Sequence, residues 1–141
     1  MSALEELQLQ IDELARQLEE LFTRESGTGW IDYSATSTIV GWSSFTEKYL
    51  SYKKVGKFAF VTFSLFGTSD SINITFTLPY SLVGSPRINA MIRAMDNSVA
   101  GIGLAELSSG STVTCYWSTS LSAWTASGTK RVAGQFFYVV A

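Results

Sequence analysis

Residues 46–66 read TEKYLSYKKVGKFAFVTFSLF and predict two β-strands joined by a hairpin. Aromatic and β-branched residues favour strands on both sides, and the Lys-Lys-Val-Gly-Lys segment between them is short enough for a tight connection. The second strand is apolar on both faces, with Phe58 and Phe60 on one side and Ala59, Val61, Phe63 and Leu65 on the other. A sandwich strand has one core face, so the second apolar face predicts a further cover, such as a neighbouring subunit.

The chain on either side of this hairpin continues in the same style. Short apolar stretches alternate with clusters of Gly, Ser, Asn, Asp and Pro. They predict strands near 30–33, 37–42, 46–54, 57–66, 72–78, 87–95, 99–106, 112–118 and 131–140. This spacing is typical of an all-β antiparallel sandwich, jelly-roll-like in style.

Two more strands indicate which faces are covered. In 87–95, one face is apolar and the other largely polar, the apolar residues being Ile88, Ala90, Ile92 and Ala94. The last strand is again apolar on both faces, since Phe137 and Val139 lie opposite Phe136, Tyr138 and Val140. This strand therefore predicts a subunit interface for the same reason as 57–66.

The first 25 residues have a different pattern. A heptad register places Leu4, Ile11 and Leu18 at a and Leu7, Leu14 and Leu21 at d, with Phe22 widening the stripe at e. Positions b and c are acidic throughout, as on the outside of a coiled coil. The predicted organisation is a coiled-coil stalk over 1–25, a glycine hinge over 26–29 and a β-sandwich head over 30–141. The alternative is an amphipathic helix that lies on its own head.

Composition excludes several classes of protein. The 141 residues carry a net charge of −2, which argues against a nucleic-acid binder that works through a basic surface. There is no His and one Cys, so the usual general base, the catalytic triads that contain His and Cys-cluster metal sites are all missing. We expect no enzyme, no cofactor and no metal. Apolar stretches are too short for membrane insertion, and the acidic N-terminus is not a signal peptide.

Two runs carry a family resemblance. They are Gly29-Trp30-Ile31-Asp32-Tyr33, and Gly41-Trp42 through Tyr52-Lys53-Lys54-Val55-Gly56-Lys57, followed by Phe66-Gly67-Thr68-Ser69 and Phe76-Thr77-Leu78-Pro79. Over about 29–80 the chain resembles the C-terminal head domain of bacteriophage tail-fibre, baseplate or receptor-binding proteins. The resemblance implies a homotrimer in the virion tail or baseplate, made in the host cytoplasm, in contact with other tail proteins and with a bacterial surface glycan.

Candidate ligand-binding residues are those in predicted loops and turns. Aromatic rings stack on sugars and Asp or Asn side chains bond their hydroxyls, which selects Trp124, Trp117, Asp70, Asp96 and Asn97. Each also has a structural explanation. Trp124 would plug the end of the sandwich, Trp117 would join the core with Val113 and Cys115, and the others would serve turn geometry.

The sequence therefore predicts a non-enzymatic trimeric head that recognises a host saccharide. Three alternatives stay open: a purely structural virion protein without a receptor, a trimeric jelly-roll ligand of another class, and a glycan hydrolase. The choice of three subunits rests on the resemblance, because aliphatic a and d positions allow several oligomeric states.

Overall fold

The computed structural model describes residues 2–26, 29–84 and 86–141. One helix, α1 (Ala3–Ser26), precedes nine strands. They are β1 (Ile31–Asp32), β2 (Ile39–Val40), β3 (Ser44–Val55), β4 (Phe58–Thr68), β5 (Ile74–Thr77), β6 (Ile88–Asp96), β7 (Val99–Leu107), β8 (Thr112–Tyr116) and β9 (Thr129–Val139). Every predicted strand is found within two residues of its predicted bounds. Residues 27 and 28 of the predicted hinge lie outside the described residues.

Helix α1 begins with reciprocal hydrogen bonds between Ser2 and Glu5. The Glu5 amide donates to Ser2 Oγ at 3.2 Å, and the Ser2 amide donates to Glu5 Oε2 at 3.1 Å. This is a capping box, and it satisfies backbone donors that the first helical turn leaves unpaired. Arg16 then forms ion pairs with Glu13 and Glu20, one turn away on either side.

The apolar seam of α1 is exposed. Its six side chains are 50–76 % exposed, and they are Leu4, Leu7, Ile11, Leu14, Leu18 and Leu21. The side chain of Phe22 lies outside the described part. The head therefore does not cover these six side chains. The alternative, a helix that lies on its own head, would have buried them.

The nine strands form one antiparallel sheet in the order β1-β3-β4-β9-β6-β7-β8-β5-β2. β1 and β2 are neighbours in sequence yet lie at opposite edges, so the sheet curls and residues 33–38 cross from one edge to the other. Hydrogen bonds fix this crossing at both sides. The Tyr33 amide donates to the Leu50 carbonyl at 2.9 Å, and Ser37 Oγ donates to the Thr77 carbonyl at 2.9 Å.

The core lies inside the curl. Alternate residues of β4 are buried, and the Phe63 ring meets the Phe76 ring of β5 with centroids 4.8 Å apart. The inward face of β9 supplies Val132, Phe136 and Tyr138 to the same core. The sequence predicted two apolar faces for each of these strands without assigning the inward one; Phe58, Phe60, Phe137 and Val139 point outward and are exposed.

The long strands β4 and β9 run side by side, and their opposite ends define two ends of the head. β4 and β9 pair from Phe58↔Val139 to Thr68↔Thr129, a length of roughly 33 Å. The hairpin end holds the two-residue turn between β3 and β4, in which Gly56 has a φ of 58°. The loop end holds residues 69–73, the β6–β7 turn and residues 117–128. Trp30, the fourth residue after α1, lies beside Phe60 and Phe137, nearer the hairpin end.

Candidate functional site

All five candidate ligand residues lie in or beside the three segments of the loop end. Asp70 is in segment 69–73, Asp96 and Asn97 are in the β6–β7 hairpin, and Trp117 and Trp124 are in segment 117–128. Sequence spacing alone could not show this proximity, because it depends on the order of strands in the sheet. The loop end is therefore the first candidate binding surface.

Lys130 holds two of the three segments in place. Its side chain is fully buried, and Nζ donates to Ser69 Oγ at 3.2 Å, to the Ser71 carbonyl at 3.0 Å and to the Thr125 carbonyl. Burial lowers the pKa of Lys130, while the nearby carboxylates of Asp96 and Asp70 act in the opposite direction. The prediction overlooked this residue, although Lys130 is in phase with the inward-facing Val132 and Phe136, which was an available signal.

Asp96 serves the architecture of the site. It is 5 % exposed, and its carboxylate accepts hydrogen bonds from the Thr125 amide at 3.0 Å and from Thr125 Oγ1 at 2.8 Å. Asp96 therefore fixes segment 117–128 against the β6–β7 hairpin. Two of its four lone-pair directions are used in this way, and the buried position leaves no open approach for a sugar.

The β6–β7 turn displays Asn97. Asn97 and Ser98 have positive φ values of 47° and 68°, the backbone of a type I′ turn between Asp96 and Val99. The Ser98 amide donates to the Thr129 carbonyl at 3.2 Å, which ties the turn to β9. The Asn97 side chain is exposed, so its amide is available for hydrogen bonding.

Trp124 is folded into the head. It is 3 % exposed, its Nε1–H donates to the Cys115 carbonyl at 2.8 Å, and its ring lies 6.3 Å from that of Trp117. This is the structural alternative recognised for Trp124, and it leaves no ring face on which a sugar could stack. Trp117 is half-buried over Gly101, so part of its ring faces solvent.

Serine hydroxyls shape the tip of segment 117–128. Ser118 Oγ lies 2.8 Å from Ser122 Oγ and 3.0 Å from Ser120 Oγ, and the Leu121 amide donates to the Ser118 carbonyl at 3.2 Å. Leu121 has a φ of 61°, which a branched side chain rarely adopts, and it is exposed. The tip thus presents one apolar side chain among hydroxyl groups, close to the half-exposed Trp117.

A second surface lies nearer the hairpin end, on the outside of β4 and β9. We call it the outer aromatic patch, and it consists of Trp30, Phe58, Phe60, Phe137 and Val139. The Phe137 ring contacts Phe58 and Phe60 with centroids 6.1 and 5.9 Å apart. All five side chains are exposed.

Candidate catalytic chemistry is sparse in the described part of the chain. The described residues contain no group of three or more His, Cys, Asp or Glu placed to hold a metal ion. Burial raises the pKa of the Cys115 thiol to about 12, so it is not a thiolate at neutral pH.

Comparison with protein families, curated proteins and solved structures gave no match. Within the described residues, no helix has both the length and the apolar character that a membrane crossing needs.

Proposed function

We propose that this protein is a self-associating, non-enzymatic β head on a coiled-coil stalk that binds a bacterial surface saccharide. The class it resembles in sequence is the head of a bacteriophage tail or baseplate protein, and we propose a homotrimer of jelly-roll-like heads within the virion. The observation that carries the proposal is the exposed heptad seam of α1. Six aliphatic side chains on one stripe of an otherwise acidic helix need a partner, and identical helices supply one.

The difference between the two ends of the head supports the same arrangement. The outer aromatic patch begins four residues after α1 ends, so its exposed aromatic rings lie on the side of the stalk, while the exposed apolar side chains of the loop end are the aliphatic Ile72, Val99 and Leu121. The loop end is roughly 33 Å away along β4 and carries amide, carboxylate and hydroxyl groups. A head that assembles through its stalk side and binds through its far end would have this distribution.

Self-association is tested by changing one seam residue in the full chain. Leu14→Asp places a charge in the middle of the seam and should shift the mass in light scattering from about three chains to one. Leu9→Asp is the matched control, because Leu9 is 56 % exposed on the same helix but lies at heptad position f. A wild-type chain that is monomeric at micromolar concentration would refute the stalk and the virion head together.

Saccharide binding is tested on an array of purified bacterial wall and capsular polysaccharides, with the labelled full chain as probe. The double variant Asp70→Asn/Asn97→Gly removes the exposed carboxylate and amide while Gly keeps the positive φ at position 97. We expect at least a tenfold loss of binding, against no change for Lys57→Ala at the hairpin end. Absence of binding to every polysaccharide and to intact cells would favour the alternative of a structural virion protein.

A further inference from the structure

A groove opens between β6 and β9 beside the outer aromatic patch. The two strands pair only from Arg93↔Ala133 to Asp96↔Lys130. They separate at Gly134, where an added Cβ would lie 2.7 Å from Ile92 Cγ2. Beyond this point, a cavity of about 720 Å³ remains, with Leu82, Ile88 and Phe136 among its lining residues.

The groove and the patch meet at Phe137 and Val139, which belong to both. On the groove side, Met91 is 74 % exposed, and on the patch side Phe58 and Phe60 are 45 % and 39 % exposed. The patch is the convex outer face of a sheet, whereas the groove is a concave gap between two strands. The other three patch residues, Trp30, Phe58 and Phe60, do not line the groove of their own chain.

The exposed apolar area supplies more than half of what one partner contributes to a stable interface. Large side chains present roughly 200 Å² each, so Trp30, Phe58, Phe60, Phe137 and Met91 together expose roughly 500 Å². A stable interface buries about 800 Å² per partner. The self-association of α1 would bring a second copy of this chain beside this surface, so a second copy is the partner to which we assign it.

We propose that the outer aromatic patch of one copy seats in the β6–β9 groove of the next copy. The inference rests on the self-association proposed above. A contact of patch with patch would leave Met91 and the groove in water. A contact of patch with groove covers both surfaces, and it closes into a ring when the rotation between copies matches that of the parallel helices around their shared axis.

The two contacts are distinguished by cross-linking the full chain with a short bismaleimide. Chains with Phe60→Cys and chains with Met91→Cys, co-expressed with different tags, should give a covalent dimer that carries both tags, while each variant alone stays uncrosslinked. Cys115 does not interfere, because it is 1 % exposed and its raised pKa keeps it protonated. A second pair of co-expressed variants, Phe58→Cys and Asn89→Cys, tests the same contact if one of the first two does not fold.

Three other outcomes would each refute either this inference or the proposed function. A dimer from Phe60→Cys alone means that patch meets patch, and the inference is wrong. An assembled chain in which neither folded pair cross-links also refutes the inference, while the stalk proposal stands. A monomeric wild-type chain refutes the proposed function itself.

Discussion

At the scale of single residues, Lys130 organises the candidate site without facing it. A buried ammonium group has to be satisfied by hydrogen bonds, since an unpaired one is costly in a low-dielectric interior. Here the acceptors come from two separate loops, and the carboxylates of Asp96 and Asp70 lie close by. The hydrogen bonds of the buried Lys130 ammonium group therefore hold two loops of the loop end in position.

Lys130→Met should lower the free energy of unfolding by about 2–3 kcal/mol. Met keeps the length and apolar stem of the side chain but removes the three charge-assisted hydrogen bonds to Ser69 Oγ and to the Ser71 and Thr125 carbonyls. Chemical denaturation measures the change. Lys57→Met, at an exposed position, should stay within about 0.5 kcal/mol of the wild type. Equal effects of the two substitutions would contradict the role given to Lys130.

At the scale of elements, the sequence pattern was enough to place all nine strands and to assign the inward face of β6, while β4 and β9, apolar on both faces, left their inward faces open. Sequence alone is enough for this because side chains alternate between the two faces of a strand every second residue, a pattern that lies within each short segment. It could not show that Trp124 folds back to the Cys115 carbonyl, or that β6 and β9 separate at Gly134. Both depend on contacts between segments distant in sequence, such as Gly134 with Ile92.

The β6–β7 hairpin offers a stabilising substitution. Ser98 has a φ of 68°, and the second position of a type I′ turn strongly favours Gly. Ser98→Gly should raise the free energy of unfolding by about 0.5–1 kcal/mol, because it removes the strain of a left-handed backbone at a residue with a Cβ. Thermal denaturation measures the gain. Ser108→Gly, at an exposed position where φ is not positive, should be neutral or slightly destabilising, and a similar gain there would count against the explanation.

At the scale of the whole molecule, one buried thiol and two buried phenol groups, which lose protons only at alkaline pH, determine how stability falls at high pH. Burial raises the pKa of Cys115 from 9.0 to about 12 and that of Tyr138 from 10.0 to about 12, and it also raises the pKa of Tyr33. In the unfolded chain these groups lose their protons at lower pH than in the folded one. Their contribution to stability is therefore complete below about pH 9 and declines as the pH rises toward 12.

We expect the free energy of unfolding to fall above pH 9, by up to about 1.4 kcal/mol per pH unit for each group that stays protonated only when folded. Lys130 acts in the opposite direction, since its pKa is lowered on folding, but it is one group against three. Denaturant titrations from pH 8 to 11 measure the slope. Cys115→Ala should flatten the part that begins near pH 9, and a level profile in the wild type would exclude this account.

The position of the stalk relative to the long strands also determines how the head carries a mechanical load. If α1 is anchored and the loop end is attached to a surface, a pull between them runs along the axes of β3, β4 and β9. Hydrogen bonds of an antiparallel pair lie perpendicular to the strands, so the pull shears all eleven paired positions of β4 and β9 together instead of opening them one at a time. The same strands that place the two surfaces at opposite ends thus make the head a tether that resists rupture.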